Sequence, residues 1–190
     1  MAYQLERFSW RKTRELIRDD YARLYSLLGR GHSEPPFLVW THPSFVSVFL
    51  YRISNHFYRS GHRYIARLWW HLNMLLTGAD ISEPADISGG LVVMVPAGTA
   101  LMGKAGKNLT VMACAGLGGE MGRLDDVGGG PGVPVVGDDV ILEPHCGVLG
   151  PVVVGNRVRV CAGMGLSVDT PDDTYVESAS VRIIKRKDVR

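Results

Sequence analysis

Residues 81–117 read ISEPADISGGLVVMVPAGTALMGKAGKNLTVMACAGL, and counting in sixes along them lands on Ile81, Ile87, Val93, Thr99, Ala105, Val111 and Leu117. After a glycine-rich interruption the count resumes at Val136, Leu142, Val148, Val154, Val160 and Leu166. A period of six is neither the 3.6 of a helix nor the alternation of a short strand, so equivalent positions must stack on one another in a solenoid. The repeat therefore predicts a parallel β-helix in which each sixth aliphatic points inward and each count is one flat side of a coil. Gly137, Glu143 and Gly155 follow their aliphatics, where the chain turns toward the next face.

Upstream, the period changes. From Ser9 to Leu28 and from Pro43 to Leu76 the pattern is helical, with Leu16, Ile17, Tyr21, Leu24 and Leu28 on one face and arginines and aspartates on the other. Gly29 to Pro36 is a breaker between the two stretches. His42-Pro43-Ser44 opens the second, and Ser60-Gly61 divides it into Phe45 to Arg59 and Arg63 to Leu76. Trp69, Trp70 and Leu72 make the last helix apolar on more than one side, which predicts burial against the solenoid or a neighbouring subunit. The expected organisation is an α-helical region over 1–78, a β-helix over 79–176 carrying an inserted loop at 120–132, and a basic tail over 177–190.

The bulk numbers fit one chain with a sizeable core: 190 residues, 46% hydrophobic, 21% charged. A formal charge of +2 is too small for a phosphate-tracking surface, so nucleic acid is not an expected partner. The three cysteines, Cys114, Cys146 and Cys161, are dispersed and odd in number, which points to a reducing compartment and not to a disulfide framework. No long apolar run reads as a membrane span and the polar start lacks a signal-peptide core, so the expected location is the cytoplasm. The six histidines are scattered without acidic or cysteine partners at ligand spacing, and no metal site is expected.

A set of local motifs goes further than the period. Pro43-Ser44-Phe45, Tyr51-Arg52-Ile53, Gly61-His62-Arg63 and Thr77-Gly78-Ala79-Asp80-Ile81 lead into the hexads, which also carry Leu117-Gly118-Gly119 and Val148-Leu149-Gly150-Pro151. Together, over about residues 14 to 186, they resemble the serine acetyltransferases and relatives that acetylate sugars and natural products. The resemblance implies a left-handed parallel β-helix of hexapeptide repeats behind an α-helical N-terminal region, acetyl-CoA as donor, and a small-molecule acceptor. It also implies homotrimers or dimers of trimers, with active sites between subunits.

The resemblance also exposes what is missing. Hydroxyl attack on a thioester requires a positioned base, for which histidine is suited by its pKa. The family supplies two histidines; here Val95 and Val133 stand in their places, Met94 replaces an acidic neighbour, and Gly132 replaces an arginine. From Gly98 to Val111 the chain is about two residues shorter than the family pattern. Strict sixes through Thr99 and Ala105 then predict a coil smoothed where the first histidine would project.

Other residues are candidates to take over. His145, in Glu143-Pro144-His145-Cys146, is the first candidate for a relocated base, with Glu143 orienting it; a surface turn histidine is the alternative. Cys146 falls at a small inward position and reads as core filler; Cys161 falls at a more exposed turn. The loop Glu120 to Gly132 reads as a lid whose Asp125 or Asp126 would bind an amino group or act as a weak base, or else as ornament. By resemblance, Gly119, Pro144 and Ala162 line the coenzyme groove and Arg182 matches a family arginine; the basic residues Lys185, Arg186 and Lys187 are candidates to reach the adenosine phosphate. Two functions remain open: a CoA-dependent O-acyltransferase with non-standard catalytic residues, or an inactive paralogue retained as a trimeric scaffold or regulatory partner.

Overall fold

A computed structural model describes residues 6–28, 36–120 and 122–177. Three helices come first: α1 (Trp10–Leu28), α2 (Pro43–Arg59) and α3 (Arg63–Thr77), with a 3-10 helix over Pro36–Thr41 ahead of α2. The His42 ring nitrogen Nδ1 accepts from the Ser44 backbone N–H at 3.3 Å and Pro43 fills the first turn, so α2 starts at the expected punctuation. Gly78 ends α3 in the left-handed region at φ +74°. A β-carbon there would lie 3.2 Å from the Ala97 Cα, so both conformation and space call for glycine.

Fourteen short strands follow, all paired in parallel in three sheets. The first sheet stacks β1 (Asp80–Ile81), β4 (Ala100–Leu101), β7 (Gly116–Gly118), β10 (Gly147–Leu149) and β13 (Gly165–Leu166). The second stacks β2 (Asp86–Ile87), β5 (Lys104–Ala105), β8 (Val135–Val136) and β11 (Val153–Val154). The third stacks β3 (Val92–Val93), β6 (Thr110–Val111), β9 (Ile141–Leu142), β12 (Arg159–Val160) and β14 (Tyr175–Val176). Each of β1 to β10 pairs with the third strand along the chain, and β12 pairs with β14, so three sides make one coil of a parallel β-helix.

The core is the inside of that coil. Ile81, Leu101, Leu117, Val148 and Leu166 form one inward ladder, Ile87, Ala105, Val136 and Val154 the second, and Val93, Val111, Leu142 and Val160 the third; all are buried. Each buried valine or leucine contributes about 1.5–3 kcal/mol from removal of apolar surface from water, and the stack repeats this at every rung.

The register overturns one expectation. Thr99 is not the inward residue of its side; Leu101 is, aligned with Ile81 below and Leu117 above. From Val93 to Leu101 the chain takes eight residues and swells outward, and it recovers the count by a short side from Leu101 to Ala105. The missing residues fall on that short side. The bulge is therefore retained, not smoothed, because the inward position demands an aliphatic and Thr99 uses its hydroxyl to bond the Val95 carbonyl at 3.1 Å.

The helices dock where the second sheet turns into the third. Arg52, buried on α2, donates to Asp20 of α1 at 2.8 and 3.0 Å and to the carbonyls of Ile87 and Ser88 at 2.5 and 2.7 Å. Asp20 accepts in turn from the Leu91 backbone N–H at 2.8 Å. Burial pushes the Asp20 carboxyl up, opposed by Arg52, whereas Asp20 overcomes the effect of burial on Arg52 and holds the guanidinium charged. Arg59 pairs with Asp86 at 2.5 Å, and Asn55 donates to the Glu83 and Ala85 carbonyls. α3 is covered on one side only: Ala66 and Asn73 are buried, Trp70 donates to Asp80 at 2.8 Å, and Tyr64, Leu68, Leu75 and Leu76 are exposed.

Higher up, the same corner carries a polar ladder. Gly90, Asn108, Asp139, Arg157 and Asp173 occupy equivalent left-handed positions, the last four at φ 56–60°. Asn108 bonds Asp139 at 2.9 Å, and Arg157 bonds both oxygens of Asp173 at 2.5 and 2.7 Å. Beside them, Asp138, Asn156 and Asp172 each accept a backbone N–H from the rung below, at 2.6–2.8 Å.

Candidate functional site

The corner between the third and first sheets differs. Its successive rungs are the bulge 94–99 and the turns 112–115, 143–146 and 161–164. Gly98, Cys114, His145 and Gly163 fall in one column, all with positive φ (76, 54, 60 and 73°). Cys114 and His145 are exposed, and His145 donates its backbone N–H to the Ala113 carbonyl at 2.9 Å. Among the described residues no side chain bonds the His145 imidazole.

An open groove of about 220 Å³ runs from this column across the outer face of the first sheet, past Gly98, Ala100, Cys114, Gly116, Gly118 and Leu149. Its floor is low because the outward positions are small. At Gly116 a β-carbon would meet the Ala100 carbonyl oxygen at 2.4 Å, so the rungs approach too closely for a side chain.

The bulge forms one wall. Ser44 of α2 donates to the Met94 carbonyl at 2.9 Å, and the Gly98 N–H reaches the Gly78 carbonyl at 3.1 Å, so both ends are tied to the helical region. Met94 is partly buried and packs against the core cluster of Leu24, Val39, Phe45 and Val92 at that interface. Val95 projects, 47% exposed. Val133 lies at the opposite edge of the first sheet, half-buried, its Cγ1 near Gly119. Neither valine can carry a proton.

The candidates of the 143–146 turn separate. Glu143 does not orient His145: its two oxygens accept from Arg159 at 2.6 Å and from the Ala162 N–H at 3.0 Å, on the next rung. The hydrogen bond from Arg159, more than any other influence, holds its carboxyl below the usual carboxylate range. Cys146 is buried, and burial pushes its thiol up to about 11, which suits core filler. Cys161 is half-buried. Pro144 and Ala162 sit on consecutive rungs of this corner, with Gly119 across the sheet.

In the inserted loop, Asp126 accepts from the N–H groups of Gly128 and Gly130 at 2.8 and 3.1 Å, and the Asp125 carbonyl accepts from Gly132 at 2.8 Å. The Asp126 carboxylate thus folds its own loop; the Asp125 side chain is exposed. Arg182, Lys185, Arg186 and Lys187 lie outside the described residues. Among those described, no group of histidine, cysteine and carboxylate side chains could hold a metal ion. Cys114 carried no signal in the sequence, because its rung and its neighbours follow only from the register after the bulge.

Fold and groove together define a hexapeptide-repeat β-helix of the left-handed class, like that of the serine acetyltransferases. Among curated proteins the chain is 27% identical to serine acetyltransferase of Synechococcus elongatus over 78% of its own length and 60% of the relative's. It is also 27% identical to the Mycobacterium tuberculosis enzyme over 77% and 63%. Among solved structures, serine acetyltransferase isoform 3 from Entamoeba histolytica, in complex with cysteine, superposes with a TM-score of 0.79 at 20% identity, over 93% of this chain and 61% of that one. The Neisseria gonorrhoeae serine acetyltransferase in complex with serine gives 0.76 at 19% over 90% and 68%. No protein-family model matches the chain. The chain is thus a serine acetyltransferase-like hexapeptide-repeat protein, and it spans about 60% of the length of the curated relatives it matches.

Proposed function

We propose that this chain is an acetyl-CoA-dependent acyltransferase that acts on an amino acid, sugar or natural-product acceptor from non-standard catalytic residues. The observation that carries the reading is the small-residue groove on the first sheet, beside a bulge retained at the place where the resemblance sets a catalytic histidine. A groove lined by glycine and alanine lets an extended chain such as pantetheine lie against backbone amides and carbonyls, so donor binding does not require the missing histidines. Homotrimers, or dimers of trimers, would bring Val95 of one protomer toward the Val133 edge of a neighbour, and the cytoplasm supplies acetyl-CoA. No described helix is long and apolar enough to cross a membrane.

Calorimetry with acetyl-CoA and desulfo-CoA tests the reading: saturable binding is expected, and none at millimolar ligand discards it. Val95 and Val133 favour a second reading, a non-catalytic scaffold that retains the fold to regulate an active relative. That reading predicts binding without thiol release against serine, homoserine, amino sugars and amines.

A further inference from the structure

We infer that Cys114 is the acyl-accepting nucleophile of this groove and His145 its base, so that the acyl group passes through a thioester on the protein. The inference rests on the acyltransferase reading. Cys114 Sγ borders the groove on one rung and contacts the bulge, lying 3.8 Å from the Ala97 carbonyl oxygen. A β-carbon at Gly98 would come 3.0 Å from that sulfur. The thiol therefore occupies space directly over the bulge that presents Val95. On the other side, parallel pairing of β7 with β10 sets His145 in the equivalent position one rung away, about 4.8 Å along the stack. An exposed thiol samples its rotamers on the picosecond to nanosecond scale, so it can turn from Ala97 toward the imidazole.

The chemistry fits the loss of the family histidines. A thiol has a pKa of about 8.5 and is a few per cent ionised at neutral pH, so it needs far less help than a hydroxyl. His145 takes the Cys114 proton as the sulfur attacks the donor carbonyl. The tetrahedral intermediate collapses by breaking the bond from carbonyl carbon to coenzyme sulfur, and the leaving thiolate recovers the proton from His145. One thioester is exchanged for another and no electron is gained or lost. In the second half the acceptor attacks the Cys114 thioester, the bond from carbonyl carbon to cysteine sulfur breaks, and the proton lost by the acceptor passes through His145 to the leaving Cys114 thiolate. A neutral amine can do this without a strong base, so the acceptor class favoured by these residues is an amine.

The test is to incubate the protein with radiolabelled acetyl-CoA without acceptor, quench in acid and locate label by peptide mass spectrometry. One hydroxylamine-labile acetyl group on Cys114 is expected, lost in Cys114→Ala and in Cys114→Gly, and retained in Cys161→Ala. The glycine variant guards against misfolding, because Gly98 and Gly163 already fill this column; binding of desulfo-CoA checks both variants. His145→Gln is expected to slow acylation by about 10²-fold while leaving desulfo-CoA binding intact. Desulfo-CoA binding without acylation overturns the relay and leaves the acyltransferase reading standing. Absence of coenzyme binding overturns both, and label retained in the Cys114 variants, or elsewhere, overturns the relay alone.

Discussion

Two corners of the same coil share a backbone and differ in what their side chains do. At the corner between the second and third sheets, the left-handed residues Asn108, Asp139, Arg157 and Asp173 bond one another or the next rung, and the first rung beneath them receives Arg52 and Asp20 from the helices. At the corner between the third and first sheets, Gly98, Cys114, His145 and Gly163 sit in equivalent geometry at the edge of an open groove, and among the described residues no side chain bonds the imidazole. A non-glycine residue in the left-handed region costs about 1–2 kcal/mol. The first corner offsets that cost with hydrogen bonds between charged and amide side chains; at the second, Cys114 has only the long contact from its sulfur to the Ala97 carbonyl and His145 has none from its ring, which leaves these two side chains available for chemistry.

The contrast can be broken most strongly at the helix-docking rung. Arg52→Met leaves Asp20 buried without its cation and is expected to destabilise the fold by about 3–5 kcal/mol, read as a lower urea midpoint. Next, Leu101→Ala removes the fully buried residue of the bulged side and is expected to cost about 2–5 kcal/mol, whereas Thr99→Ala is expected to cost less. Equal costs would mean that the inward position is wrongly assigned.

Smaller effects sharpen the same comparison. His145→Gly is expected to leave stability unchanged or raise it by about 1 kcal/mol, because glycine accepts positive φ and no bond is lost. Asp139→Gly, in the bonded corner, is expected to lower the melting temperature despite the same relief.

Glu143, Asp172 and Asp173 are all held below the usual carboxylate range, chiefly by hydrogen bonds from Arg159, Asn156 and Arg157 respectively. Their contribution is therefore complete above the unfolded carboxylate range of about 4 and is lost as pH falls through the lower folded values. Thermal unfolding followed from pH 7 to pH 3 is expected to show this loss, with a shallower acid limb in Asp173→Asn. Val95→Ala, on an exposed and unbonded side chain, is expected to change the melting temperature least of all.

The period of six and the capping signals at His42-Pro43 and Thr77-Gly78 are local properties of the chain, so the coil and the helix ends were legible in the amino acids. That Val95 and Val133 cannot take a proton was equally legible, since it does not depend on where a side chain lies. Glu143 was misread as a partner of His145 because sequence proximity placed them together, while the stacking places Arg159 nearer to the carboxylate.

The amino acids alone settled the repeat, its three-sided core and the chemistry its side chains lack. Which residue fills the inward position at the bulge, which corner is bonded shut and which lies open, and that Cys114 and His145 occupy neighbouring rungs are decisions of the fold. The reason is that rung neighbours here are separated by 16 to 31 positions along the chain, and only the stacked register converts that separation into contact.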